Sequence, residues 1–93
     1  MTFSEETREA IKYAQNEVCK VPGCYEKIDD YHHCLENTKP NRKLFPLFIH
    51  SIFNCVGIHR GHHDGPEKEQ FKISVKLAEV YERWLERFLE KGV

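Results

Sequence analysis

The sequence predicts an α+β domain in which a helix at each end flanks a middle segment of different character. Two patterns carry this expectation. Apolar residues recur at helical spacing near both ends, whereas residues 19–65 lose that period and hold every one of the six His and four Cys. Size supplies a third constraint, because 93 residues leave room for one core and 1–93 is therefore read as a single domain.

The first helix is expected from residue 2 to about residue 18. Thr2 supplies an N-cap, with Glu5 three residues on as the partner of a capping box. Glu5, Glu6 and Glu9 stand in the early turns, where the helix dipole favours acids. Ala10, Ile11, Ala14 and Val18 share a face, and nothing in the stretch carries chemistry, so it is read as a packing helix.

In the middle segment, Val21-Pro22-Gly23 signals a turn between Cys19 and Cys24. Residues 30–35 fit a short strand, and the polar, Pro-interrupted residues 36–43 fit an exposed loop. Residues 44–53 are apolar and aromatic, with Pro46 arguing against a regular central strand.

Residues 66–91 read as a longer helix. Asp64 is its cap, Pro66 suits the first turn, Glu67 completes the box and Gly92 is a stop. Phe71, Val75, Ala78, Tyr81, Leu85 and Phe88 form one stripe, widened by Leu77, Val80 and Trp84. About 25 residues at 1.5 Å each give roughly 37 Å, longer than so small a core. The helix therefore either breaks near residues 72–74 or packs its distal half elsewhere, for example on a second copy. Monomer and homodimer both remain open.

Composition excludes several classes. The chain is 40% apolar and 31% charged, with a net charge of −1, which argues against a protein that coats nucleic acid. No run of about 18 apolar residues exists, so no membrane span is expected. The acidic, helix-like start lacks a basic region followed by an apolar stretch, so a cleaved secretory signal is not expected and the compartment is read as cytoplasmic.

Six His and four Cys point to metal. Cys19 and Cys24, four residues apart around a Pro-Gly turn, let two thiolates converge on one ion, and in a reducing compartment that is favoured over a disulfide or two unligated thiols. A thiolate pair fills half of a tetrahedral zinc site. His59, His62 and His63 are the candidates for the rest. Two partitions are open. In the favoured one His59 and His62 join Cys19 and Cys24, leaving His63 for another ion; in the other His59 and His63, four apart, bind one ion together. His32 and His33 are neighbours on the expected strand and project in opposite directions, so one is assigned to metal and the other to a substrate.

These residues resemble the HNH nuclease family with its ββα-metal fold, over residues 19 to about 66. Tyr31-His32-His33-Cys34 stands where the family has its strand-borne His pair. Asn54 and, nine residues later, His63 match the Asn and the final His. Zinc-bearing members carry a second Cys pair five and eight residues after the Asn; here those positions are His59 and His62, and imidazole replaces thiolate without changing the tetrahedral geometry. Residues 37–47 and 53–54 also resemble loops of small phage-type members. The resemblance implies a ββα-metal core stapled by a structural zinc on Cys19, Cys24, His59 and His62, between an N-terminal and a long C-terminal helix. It further implies a metal-dependent DNA endonuclease or nickase, at home in a bacterial, archaeal or phage-infected cell. His32 and His63 would hold a catalytic divalent cation such as Mg²⁺ or Mn²⁺. His33 would be the general base, and Asn54 would hold the hairpin loop and help orient His33 through its amide. The expected products are a 5′-phosphate and a 3′-hydroxyl. The chief alternative is a non-catalytic zinc-binding module that docks nucleic acid or protein.

Residues 19–63 carry six Lys or Arg against four Asp or Glu. Lys39, Arg42, Lys43 and Arg60 are the expected phosphate contacts. His50 and Cys55 are read as packing or loop residues, and Cys34 as a small apolar strand residue.

Overall fold

The computed structural model describes residues 3–62 and 66–90, and the side chains of these apart from residues 62 and 66–68. Its first helix, α1 (Glu5–Ala14), starts later and ends sooner than its apolar spacing predicts. Ser4 is the N-cap, its Oγ accepting from the Thr7 backbone N–H at 3.2 Å, while Thr2 lies outside the described residues. The helix ends because Asn16 and Glu17 turn left-handed, at φ 55° and 63°. Gln15 uses this bend to reach the sheet. Its Nε2 donates to the Gly57 carbonyl at 2.8 Å and its Oε1 accepts from the Gly57 N–H at 3.0 Å. Val18 therefore leaves the helical face expected for it and pairs with Lys27 in an isolated bridge.

The predicted turn at Val21-Pro22-Gly23 is present. Gly23 has φ +85°, the left-handed backbone that glycine adopts without strain, and the Cys24 N–H donates to the Val21 carbonyl. The chain then enters β1 (Asp30–His33), two residues shorter than the strand expected over 30–35. It pairs antiparallel with β2 (Cys55–Ile58), in a register that sets His32 opposite Val56 and His33 opposite Cys55.

Between the strands, residues 36–43 are not simply the exposed loop that polarity and Pro40 predict. Lys39–Leu44 forms a short helix, α2. Thr38 caps it by accepting from the Asn41 N–H, and Pro40 sits in the first turn, where a missing N–H costs nothing. Residues 45–51 then turn into the core without forming a strand, as Pro46 predicts, and a 3₁₀ turn, Ile52–Asn54, leads into β2.

After β2 come a 3₁₀ turn, Arg60–His62, and a 3₁₀ segment, Pro66–Phe71, then α3 (Val75–Glu90). The single helix expected over 66–91 thus breaks at residues 72–74. Its backbone is diverted there: the Ile73 N–H donates to the Cys34 carbonyl at 3.3 Å, and Ser74 Oγ accepts from Leu77 N–H to open a new helix. Asp64 and Gly92, expected as cap and stop, lie outside the described residues.

Two small apolar clusters hold these pieces together. Leu35, Phe45, Phe48, Ile49 and Ala78 form one, with Ile73, Tyr81 and Leu85 against it. Cys19, Val21, Val56 and Ile58 form the other, joined by Cys24, Cys34 and Phe71. The architecture is thus mixed α+β, with a two-stranded antiparallel sheet and three α-helices among the described residues. The segment that follows β2 is 3₁₀ rather than α-helical where it is described. No helix among the described residues is long and apolar enough to cross a membrane.

Candidate functional site

His33 stands at the end of β1, and its imidazole is held between Phe3 and His50. Phe3, itself 2% exposed, stacks on the ring at 3.9 Å between centroids and 18° between planes. His50 meets its edge, with His33 Nε2 3.2 Å from His50 Nδ1. The remaining edge opens toward solvent, where His33 borders two clefts. One, of about 150 Å³, is shared with His32, Glu36, Glu69 and Lys72. The other, of about 350 Å³, is shared with Arg8, Tyr31 and Asn37. Burial, reinforced by the charges of His50 and His32, pushes the His33 pKa down to about 4. Its ring is therefore neutral throughout the physiological range, the state in which an imidazole accepts a proton. His50 is also held below the ordinary histidine value, chiefly by burial, with Arg42 adding a smaller effect.

Asn54 is fully buried, and its amide is spent on the backbone of the loop between the strands. Oδ1 accepts from the Leu35 N–H, while Nδ2 donates to the carbonyls of Leu35 and Ile49. Both amide protons are thereby used, so Asn54 holds the loop as expected but does not orient His33 through a direct hydrogen bond. Its influence on His33 passes through the backbone, where the Cys34 N–H donates to the Asn54 carbonyl at 2.9 Å.

Cys19 and Cys24 are brought together, both as free thiols. A hairpin does this: Val18 pairs with Lys27, and the Cys19 N–H donates to the Glu26 carbonyl. The Glu26 backbone hydrogen bond lowers the Cys24 pKa, but desolvation and the adjoining Cys19 thiol outweigh it and leave it raised. Two thiols in contact resist becoming two thiolates unless a cation lies between them, which is the donor chemistry of a zinc knuckle. His59 follows β2, and its Nδ1 lies 3.6 Å from Asp29 Oδ2. Asp29 also accepts from the Arg60 backbone N–H. A carboxylate on one ring nitrogen is the usual companion of a histidine that ligates through the other.

Among the described residues, no three His, Cys, Asp or Glu side chains converge as a metal-holding group. Cys19 and Cys24 form a pair to which His59 is not joined. The His62 side chain and the whole of His63 lie outside the described residues. His32 lies on β1 beside the smaller cleft.

The expected phosphate contacts divide. Lys39, Lys43 and Arg60 are exposed. Arg42 is half-buried, and its Nη1 donates to both the carbonyl and Oδ1 of Asn37, so it braces the loop that borders the larger cleft. Cys34 and Cys55 are held as thiols by burial, their pKa values pushed up to about 11 and about 12, with Cys34 adding to the effect on Cys55. Both are therefore weakly reactive, Cys55 within β2 and Cys34 one residue past the end of β1 rather than in the strand expected to contain it.

Sequence reasoning missed two members of the site. Phe3 falls within the packing helix expected from residue 2 but lies before α1 in the structure, and the surroundings of His50 in the sequence suggest packing alone. The signal for His50 was its setting: an imidazole inside the apolar run Phe48-Ile49-His50 needs a polar partner when the run is buried. Comparison with protein-family models, with curated proteins and with solved structures finds no match.

Proposed function

We propose that the chain is a metal-dependent DNA endonuclease or nickase of the HNH kind, with a ββα-metal core. The observation that carries this reading is the placement of His33: a half-buried imidazole, clamped by Phe3 and His50, at the end of a strand beside His32. In this function His33 takes the proton of the attacking water, and Asn54 keeps the strand that bears it in register. His32 and His63 hold a divalent cation such as Mg²⁺ or Mn²⁺; when bound, that ion supplies charge neutralisation to the phosphate and the leaving 3′ oxygen. Lys39, Lys43 and Arg60 contact neighbouring phosphates. The products are a 5′-phosphate and a 3′-hydroxyl.

Cys19 and Cys24 supply half of a structural zinc site, and His59 and His62 complete it. The thiol contact and the Asp29 partner of His59 support this assignment. Whether His59 serves zinc or the catalytic cation is decided by which metal is lost on its substitution.

One observation favours the non-catalytic alternative, a protein-interaction module. Leu77, Val80, Trp84 and Phe88 are exposed on the outer side of α3, and Phe53 and Tyr81 extend them into an aromatic strip. The same strip would pair two nuclease subunits, and light scattering distinguishes monomer from homodimer. Incubation with supercoiled plasmid tests the proposed activity. An endonuclease converts plasmid to open-circular or linear product only when Mg²⁺ or Mn²⁺ is added, and the new 5′ ends carry phosphate. Intact plasmid under all metal conditions favours the interaction module.

A further inference from the structure

His50 has no part in the proposed chemistry, yet its imidazole is committed to His33. The apposed atoms are His33 Nε2 and His50 Nδ1, 3.2 Å apart. The other nitrogen of His50, Nε2, is buried with no hydrogen-bond partner among the described residues. Phe3 closes one face of His33 and meets His50 edge-on, at 85° and 6.2 Å. His33 therefore has one nitrogen engaged, and Nδ1 is the one left to act.

Two neutral arrangements satisfy the contact, and they differ in chemistry. If His50 donates from Nδ1, then His33 accepts at Nε2 and must carry its own proton on Nδ1. A ring in that state has no bare nitrogen with which to take another proton. If instead His33 donates from Nε2, its Nδ1 is a bare lone pair, and His50, accepting at Nδ1, carries its own proton on the buried Nε2. We propose that His50 is a positioning residue whose Nδ1 accepts the Nε2 proton of His33 and so holds His33 with Nδ1 bare. This rests on His33 being the general base, since only this arrangement leaves the base a nitrogen to use. It also acts differentially. When a water O–H bond breaks and the proton binds at His33 Nδ1, the ring becomes an imidazolium, and its Nε2–H bond to His50 becomes charge-assisted and stronger. His50 thereby favours the proton transfer itself and not only the resting geometry.

The test combines histidine ¹⁵N spectroscopy on the full chain at pH 8 with steady-state plasmid nicking in Mg²⁺ or Mn²⁺. The expected wild-type spectrum has His33 protonated on Nε2 and bare on Nδ1. In His50→Asn, the amide oxygen accepts from much the same place as Nδ1, and both tautomer and kcat are retained. In His50→Leu, the tautomer preference is lost and kcat falls roughly 10–100-fold with KM unchanged, the usual loss for a partner that orients a site ligand. A wild-type His33 protonated on Nδ1 overturns the proposal, as does a folded His50→Leu protein with unchanged tautomer and kcat. If wild-type His33 has the expected tautomer but the chain cuts no DNA, His50 positions His33 as proposed and the nuclease reading is what fails.

Discussion

Asn54 and Leu35 exchange two hydrogen bonds: Oδ1 of Asn54 accepts from the Leu35 N–H at 2.6 Å, and its Nδ2 donates to the Leu35 carbonyl at 3.1 Å. With the further bond to the Ile49 carbonyl, one fully buried side chain closes both ends of the loop between the strands. Asn54→Ala leaves three backbone groups without partners, at a cost of roughly 1–3 kcal/mol for each one that stays buried. The expected outcome is a fall in Tm of more than about 10 °C, since each kcal/mol is worth about 4–8 °C in a domain of this size. Asn54→Asp is expected to be nearly as damaging, because its carboxylate faces two carbonyl oxygens. Thermal unfolding by circular dichroism measures both.

Glu82 is a second buried brace, joining α3 to the turn after α2. At 5% exposure, its Oε1 accepts from the Leu47 N–H at 3.1 Å and from the Phe48 N–H at 2.9 Å. Removing the acceptor strands two donors, so Glu82→Ala should destabilise by about 2–4 kcal/mol. Glu82→Gln keeps an acceptor oxygen and should cost clearly less. Urea unfolding of the pair gives the comparison, and equal losses would show that the carboxylate's packing matters and its hydrogen bonds do not.

Gly57 sits where three chain segments meet. It pairs with Gln15, its carbonyl accepts from the Lys20 N–H, and an added Cβ would lie 2.7 Å from Ile28 Cδ1 and 2.9 Å from Ile28 Cγ2. The branched Ile28 cannot swing both atoms away, so Gly57→Ala should cost about 1–3 kcal/mol, the usual penalty for overpacking. Gly57→Ala combined with Ile28→Ala should recover part of that loss in the same unfolding measurement.

The lowered pKa of His33 makes stability depend on pH. The unfolded ring titrates near the ordinary 6.5 and the folded ring at about 4, so between these values the unfolded chain binds more protons. The stabilisation is complete above pH 6.5 and is lost as pH falls toward 4. The Tm of the wild type should therefore drop across this window more steeply than that of His33→Gln, and parallel curves would contradict the burial assigned to the ring.

Metal removal addresses the Cys pair. Elemental analysis should find about one zinc per chain, and Cys19→Ser or Cys24→Ser should lose it, since a structural zinc contributes directly to folding. A chelator should lower the Tm of the wild type and leave the Tm of the Cys variants unmoved.

Part of the plan could be read from local pattern, and the failures share a physical cause. The turn at Pro22-Gly23 and the core of the strand expected over residues 30–35 are set by nearby residues. The interruption at residues 72–74 was one of two outcomes that helix length allowed, and the bond from Ile73 to Cys34 accompanies it. The overlong first helix is different. Its end depends on Gln15 reaching Gly57, a contact across 42 positions that no helical period reveals. The helix at Lys39–Leu44 is signalled by Thr38 and Pro40, although the polarity of the stretch suggests a loop. In the site, the pairing of Cys19 with Cys24 follows from spacing, whereas His50 reaches His33 only because the loop folds back 17 residues later. Tertiary return of the chain is the information that composition and period lack.

The central claim, that His33 is the base of a DNA-cutting site, is tested most directly by His33→Ala in the plasmid assay. The variant should keep its fold and its affinity for DNA, and lose Mg²⁺- or Mn²⁺-dependent nicking by a factor of roughly 10²–10⁴, the usual contribution of a general base. Nicking at the wild-type rate by a folded His33→Ala protein would contradict it.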